Sequence, residues 1–136
     1  MIIVGGIVKN NDNKYLIIKE RKEKYYGMYN LPAGHLEEKE LLLDGTKREI
    51  KEETGYDVDI KGIIQIGNTE KFTSFIFYCE IISNQEEYNS DEILSVEWLT
   101  YEEIINIADK FRSPELTLDA IKRVEDNKIY SLDMIR

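Results

Sequence analysis

Residues 34–56 read GHLEEKELLLDGTKREIKEETGY, and the interpretation of the whole chain turns on this stretch. Residues 41–54 have helical character and are followed by Gly55, the residue that most readily closes a helix in the left-handed conformation. Winding them at about 100° per residue with Glu49 at 0° puts Glu53 near 40° and Glu52 near 300°, so three carboxylates share an arc of roughly 100°. Leu42, Thr46, Ile50 and Leu43 fill the arc from about 20° to 120° and form the apolar stripe, which Glu49 and Glu53 border. Lys47, Lys51 and Asp44 already occupy the opposite, solvent-facing side. Carboxylates crowded toward the core repel one another and lose hydration, which is costly unless a cation compensates. Oxygen-only ligands suit Mg²⁺, or Mn²⁺, better than zinc. Arg48 lies one turn before Glu52 and is spaced to pair with it.

Working outward from the helix, Ile2–Val8 and Tyr15–Lys19 read as strands joined through Asn10-Asn11-Asp12-Asn13, a run with hairpin chemistry. A tyrosine-rich polar loop, Arg21 to Asn30, leads into Leu31-Pro32-Ala33-Gly34. Two further strands are expected at about 57–66 and 71–82, around a turn at Gly67-Asn68, followed by a short strand ending near Trp98. Thr100 and Glu103 form a capping-box pattern for a helix to about Lys110. Ser113-Pro114 reads as an N-cap with proline at the first position of a helix to about Asp126. Strands and helices are mixed without strict alternation, which predicts an α/β fold with a mixed sheet covered by helices.

Composition narrows the function classes. With 136 residues, 42% hydrophobic and 33% charged, the chain matches one soluble globular domain spanning 1–136. No apolar run approaches the ~18 residues of a membrane span. The apolar start lacks a basic flank and reads as mature chain. The single cysteine, Cys79, excludes an internal disulfide and suits a reducing, cytoplasmic setting. It sits in a strand run and reads as a small buried hydrophobe. Eighteen basic against 27 acidic residues give a net charge of −9, the wrong sign for a protein that tracks nucleic-acid phosphates. Residues 86–103 hold seven acids and no base, whereas residues 1–30 hold six bases against three acids. An acidic cleft beside a basic lip suits metal cations and an anionic small molecule.

Gly34, Glu40 and Arg48-Glu49-Ile50-Lys51-Glu52-Glu53-Thr54-Gly55-Tyr56 resemble the signature box of the Nudix hydrolases. Nine positions over these 23 residues fall at the family's spacing. Two positions depart from it: Tyr56 stands where Ile, Leu or Val is usual, and Gly45 where Ala is usual. The resemblance implies a Nudix α/β/α sandwich and Mg²⁺-dependent hydrolysis of a nucleoside or other organic diphosphate. It also implies that Glu49, Glu52 and Glu53 hold the metal, with a backbone carbonyl near Gly34, while Glu40 and Arg48 order the loop and helix. A later acid about six residues before a tryptophan often serves as ligand or base in the family. Here that is Glu92 before Trp98, with Asp91 as its rival. Such chemistry needs no Ser, Cys or His nucleophile, because a metal-activated water attacks phosphorus and a carboxylate takes its proton. Pro32-Ala33-Gly34-His35-Leu36-Glu37, Arg112-Ser113-Pro114 and Tyr130-Ser131-Leu132-Asp133-Met134-Ile135 are further similar to the NudJ-type phosphatases of thiamine-type pyrophosphates and nucleoside di- and triphosphates.

For substrate contacts, Arg21 and Lys24 are placed to reach phosphates, and Tyr26 and Tyr29, with neighbouring Tyr25, to stack on a ring. His35, the one histidine, reads as a turn residue bonded to backbone. Trp98 reads as a packing anchor. The expected partner is a small nucleotide or pyrophosphate, with neither a nucleic-acid track nor a membrane, in a monomer or homodimer. Three alternatives stand beside this reading. One is a Nudix enzyme for ADP-ribose or an oxidised nucleotide. Another is a silent nucleotide-sensing module, which would usually lack one of the glutamates present here. The last is a prenyl-diphosphate isomerase, which needs an active-site cysteine that the sequence does not place.

Overall fold

The computed structural model describes all of residues 1–136. Seven strands run β1 (Ile2–Val8), β2 (Lys14–Glu20), β3 (Tyr29–Asn30), β4 (Ala33–His35), β5 (Val58–Asn68), β6 (Thr73–Ile81) and β7 (Ile93–Thr100). Three helices, α1 (Leu42–Thr54), α2 (Tyr101–Asn106) and α3 (Pro114–Glu125), complete the fold with short 3₁₀ turns. The strands form two sheets, ordered β4-β1-β6-β5 and β3-β2-β7. The first is mixed, with β1 parallel to β6 and antiparallel to β4. The second is wholly antiparallel.

The apolar runs of β1 and β2 explain this layering. Neighbouring residues on a strand point to opposite faces, and here both faces are buried. Ile7, Tyr15 and Ile17 enter a core with Ile64, Ile104, Phe111 and Ile121, on the side of α2 and α3. Val8 and Leu16 enter a second core with Ile50, Val58, Phe77 and Cys79, on the side of α1. Helices therefore cover the strands from both sides, and α1 is held with its Ile50 face inward. Burial pushes the Cys79 thiol up to about 12, so it behaves as a hydrophobe.

Several expectations need correction. Residues 10–13 do turn the chain, with the Asn10 N–H bonded to the Lys14 carbonyl at 2.9 Å and a single bridge between Lys9 and Tyr15. The two strands then diverge into different sheets, because β1 is flanked by β4 and β6. The expected mixed sheet flanked by helices is present, and a second, antiparallel sheet of three strands lies beside it. The second hairpin turns at Thr69–Phe72, not at Gly67-Asn68, which remain in β5 opposite Ser74 and Thr73. A Cβ on Gly67 would lie 2.3 Å from the Ser74 hydroxyl, so this glycine serves close strand approach instead of a turn. The Thr100–Glu103 capping box is present, but α2 ends at Asn106 and gives way to a 3₁₀ turn at Ala108–Lys110. Proline begins α3, yet the Ser113 side chain makes no cap bond.

Candidate active site

Helix α1 delivers its carboxylates at three depths. Glu53 is buried, 6% exposed, and its Oε1 accepts the Ala33 N–H at 2.8 Å. Burial holds its proton affinity well above the usual carboxylate value, and the nearby charges of Glu49 and Glu20 add to this. Glu49 is half-buried, and burial also raises its pKa. The Glu52 side chain is 53% exposed. The order of depth follows the helix wheel, with the carboxylates nearest the apolar stripe lying deepest.

Arg48 organises the cluster from the side. Its Nε and Nη2 donate to the two oxygens of Glu40 at 2.7 and 2.9 Å, and its Nη1 to Glu49 at 2.9 Å and Glu52 at 3.2 Å. Nη2 also reaches the His35 carbonyl at 3.1 Å, so the arginine ties α1 to the loop before it. Its hydrogen bonds hold Glu40 down to about 2. The spacing to Glu52 was legible in sequence, but the stronger fork to Glu40 is a long-loop contact.

Gly34 and Gly45 are explained by close approach. A Cβ on Gly34 would sit 2.3 Å from the Glu49 carboxylate, and one on Gly45 2.6 Å from Leu36 and 2.9 Å from Glu40. The helix accepts the propensity cost of Gly45, about 1 kcal/mol, where Leu36 and the Arg48-bound Glu40 crowd its surface. Tyr56, the atypical end of the box, packs edge-on against Trp98 with ring centroids 5.8 Å apart, and its hydroxyl accepts the indole N–H at 3.4 Å.

The acidic loop is docked against the C-terminal end of α1. The Glu86 N–H bonds the Gly55 carbonyl and the Asn89 N–H bonds that of Glu52, both at 2.8 Å. Opposite, the Arg21 N–H bonds the Glu92 carbonyl at 2.8 Å and Arg21 Nε the Ser90 carbonyl at 2.8 Å. The basic lip and the acidic loop are thereby stitched together. Arg21 uses Nε to hold that seam, and Lys24 lies 5.4 Å from the Tyr25 ring. Lys22 approaches Glu92 at 3.9 Å, and its charge is felt at both Glu49 and Glu53. Tyr26 is exposed. Tyr29 packs on Phe111 with ring centroids 5.8 Å apart. Residue-by-residue reading missed Lys22 as a neighbour of the carboxylates. It also missed Glu20, 3% exposed and paired with Arg112 at 3.2 Å. A glutamate continuing the apolar side of β2 was the available signal for Glu20.

The donor set fits a hard divalent cation in its chemistry: carboxylates alone, one of them buried, beside a glycine backbone on which a side chain would collide with Glu49. No three acidic, histidine or cysteine side chains converge on one point, and Arg48 holds Glu49 and Glu52 as ion pairs.

A family model for the NUDIX domain matches residues 1–119. The chain belongs to the Nudix hydrolases. It is 31% identical over 140 residues to the phosphatase NudJ of Escherichia coli K12, covering 98% of this chain and 89% of that protein. The zebrafish 8-oxo-dGDP phosphatase NUDT18 is 31% identical over 100 residues, covering 71% of this chain but 31% of the relative. The chain spans between 29% and 40% of three curated relatives it matches. Among solved structures, a Nudix hydrolase from Nitrosomonas europaea superposes with a TM-score of 0.89 at 25% identity, covering 99% of this chain and 95% of that one. No helix is long and apolar enough to cross a membrane.

Proposed function

We propose that residues 1–136 form one catalytic domain that hydrolyses small organic pyrophosphates, among them nucleoside di- and triphosphates and thiamine-type pyrophosphates, in a Mg²⁺-dependent reaction. The observation that carries the reading is the intact set of Glu49, Glu52 and Glu53 at graded depth on one helix face, with Glu49 seated against Gly34. These three and the Gly34 carbonyl would hold Mg²⁺, with Mn²⁺ as a substitute. Bound there, the cation would neutralise phosphate charge and acidify a water.

The remaining roles belong to the chain itself. Glu53 Oε1 is engaged by the Ala33 N–H, which leaves Oε2 to take a proton. Burial raises its proton affinity, the direction that a proton acceptor needs. Glu92, tethered by its backbone to Arg21, is the alternative base, with Asp91 beside it. Lys22, whose charge acts on Glu49 and Glu53, joins Arg21 and Lys24 as a phosphate contact, while Tyr26 and Tyr29 offer rings to the organic group. The match to NudJ over nearly the whole chain supports the phosphatase reading. The name of the zebrafish relative supports a second one, an oxidised nucleoside diphosphate as substrate.

A phosphate-release screen over phosphorylated metabolites with Mg²⁺ tests this. Glu53→Gln keeps the side chain's size and removes its charge, and is expected to lower kcat by at least ~10²-fold. Glu92→Gln is expected to exceed Glu87→Gln, which is a cleaner control than Glu86→Gln because Glu86 holds Lys51 at 2.6 Å. Full activity in EDTA, or near-normal turnover by Glu53→Gln, would sink the proposal.

A further inference from the structure

Glu20 and Arg112 are the one ion pair in which a carboxylate is almost completely buried outside the signature box. The Glu20 side chain is 4% exposed and that of Arg112 33%. Only Nη1 of the guanidinium serves the pair, reaching the two carboxylate oxygens at 3.2 and 3.3 Å. The rest of Arg112 is over-determined in position. Its backbone N–H bonds the Tyr29 carbonyl at 2.9 Å, and its guanidinium lies 3.5 Å from the centre of the Tyr25 ring. Three elements therefore fix it: the end of β2, the tyrosine loop and the segment leading into α3.

The opposite edge of the same guanidinium is free. Nε and Nη2 make no hydrogen bond to a protein group, since Nη1 alone reaches Glu20, and a third of the Arg112 side chain is exposed. These two N–H groups point side by side and form the fork that matches a pair of adjacent acceptors. Glu20 directly precedes Arg21, whose backbone N–H bonds the Glu92 carbonyl at 2.8 Å, which puts the fork beside the seam between the basic lip and the acidic loop. A buried ion pair is a poor stabiliser compared with apolar packing, and Leu16 and Ile18 show that this side of β2 otherwise carries apolar residues. The pair gains its sense from what it holds ready.

We propose that Arg112, oriented by Glu20 and Tyr25, is a specificity-determining residue whose Nε/Nη2 fork binds two adjacent acceptor atoms of the substrate. Two sources present that pair: the oxygens of a phosphate beyond the scissile bond, and the O6/N7 edge of a guanine-type ring. This rests on the hydrolase reading above and extends it to substrate selection. Because the side chain is already immobilised, little entropy is lost when it binds.

The test is calorimetric titration in EDTA, where no turnover occurs, with inorganic pyrophosphate, thiamine pyrophosphate, ADP and GDP at up to millimolar concentration. Arg112→Gln is expected to weaken binding roughly tenfold or more. Because it strands Glu20 unpaired, the Glu20→Gln/Arg112→Gln double variant, which buries no lone charge, is measured beside it and should show the same loss. A loss shared by all four probes assigns the fork to phosphate, and Arg112→Lys should then recover part of it. A loss confined to GDP assigns it to the ring. Unchanged affinities, a loss in the single variant that the double variant restores, or no binding by the unmodified protein would each overturn the proposal. Arg112-dependent binding without hydrolysis of anything in Mg²⁺ would instead sink the hydrolase reading and leave this one standing.

Discussion

Glu53 is where residue-scale physics is most exposed. Its burial favours the protonated carboxyl in the folded chain relative to the unfolded one, whose value lies near 4.5. A raised folded pKa means the folded state binds more protons over that window, so the group's contribution is favourable at low pH. It is lost as pH rises from about 4.5 toward the raised value. In EDTA, Glu53→Gln should therefore melt a few degrees above the unmodified protein at pH 7, at roughly 2–8 °C per kcal/mol, with the gap closing near pH 4. A gap of equal size at both pH values in paired thermal melts would show that burial does not control this carboxyl. Gly34 gives a second residue-scale outcome. Gly34→Ala adds a Cβ 2.3 Å from the Glu49 carboxylate, the far end of a flexible side chain that can shift with its Arg48 partner. Stability should change little while kcat falls by about 10²-fold, the scale of an ångström-sized misplacement. A melt and a turnover assay on one preparation separate the two.

At the scale of elements, helix ends decide what is rigid. Helix α1 closes on Gly55 at φ 80°, and a Cβ there would lie 2.1 Å from the Glu86 carbonyl oxygen. Gly55→Ala thus combines left-handed strain with a backbone clash, and should destabilise by about 1–3 kcal/mol. It should also loosen the acidic loop, since the Glu86 N–H bonds the Gly55 carbonyl at 2.8 Å. Hydrogen exchange at residues 86–89 that stays as slow as in the unmodified protein would contradict this. The close of α1 and the start of α2 were legible because glycine closure and the Thr100–Glu103 box are local chemistry. Ser113 stands at the N-cap as expected, its carbonyl accepting the Thr117 N–H at 3.0 Å, but its side chain makes no cap bond, which pattern alone does not reveal.

For the whole molecule, a net charge of −9 makes the metal-free state self-repelling. Mg²⁺ should raise Tm beyond what K⁺ does at equal ionic strength, by the equivalent of about 2.7 kcal/mol when present at a hundredfold over its Kd. The Glu49→Gln/Glu53→Gln variant should lose that difference, and removing Mg²⁺ with EDTA should reverse it in the unmodified protein. An identical response to the two salts in differential scanning calorimetry would mean that Mg²⁺ acts by screening alone.

The amino-acid sequence by itself determined the α1 carboxylate face, its arginine, its glycine stop and the family signature. All of these depend on neighbours within a few turns of one helix, where the 3.6-residue period makes relative position calculable. The apolar runs of β1 and β2 likewise announced strands. Only the tertiary structure decided that those strands part into two sheets, since a strand's partners depend on competition among edges far apart in the chain. It also decided that Glu20 meets Arg112 across 92 positions, and that Lys22 is the lip base beside the carboxylates. The Gly45 contact with Leu36 and the Tyr56 contact with Trp98 belong to the same class. Each joins groups whose approach is set by packing, and packing is a property of the assembled core that no local period encodes.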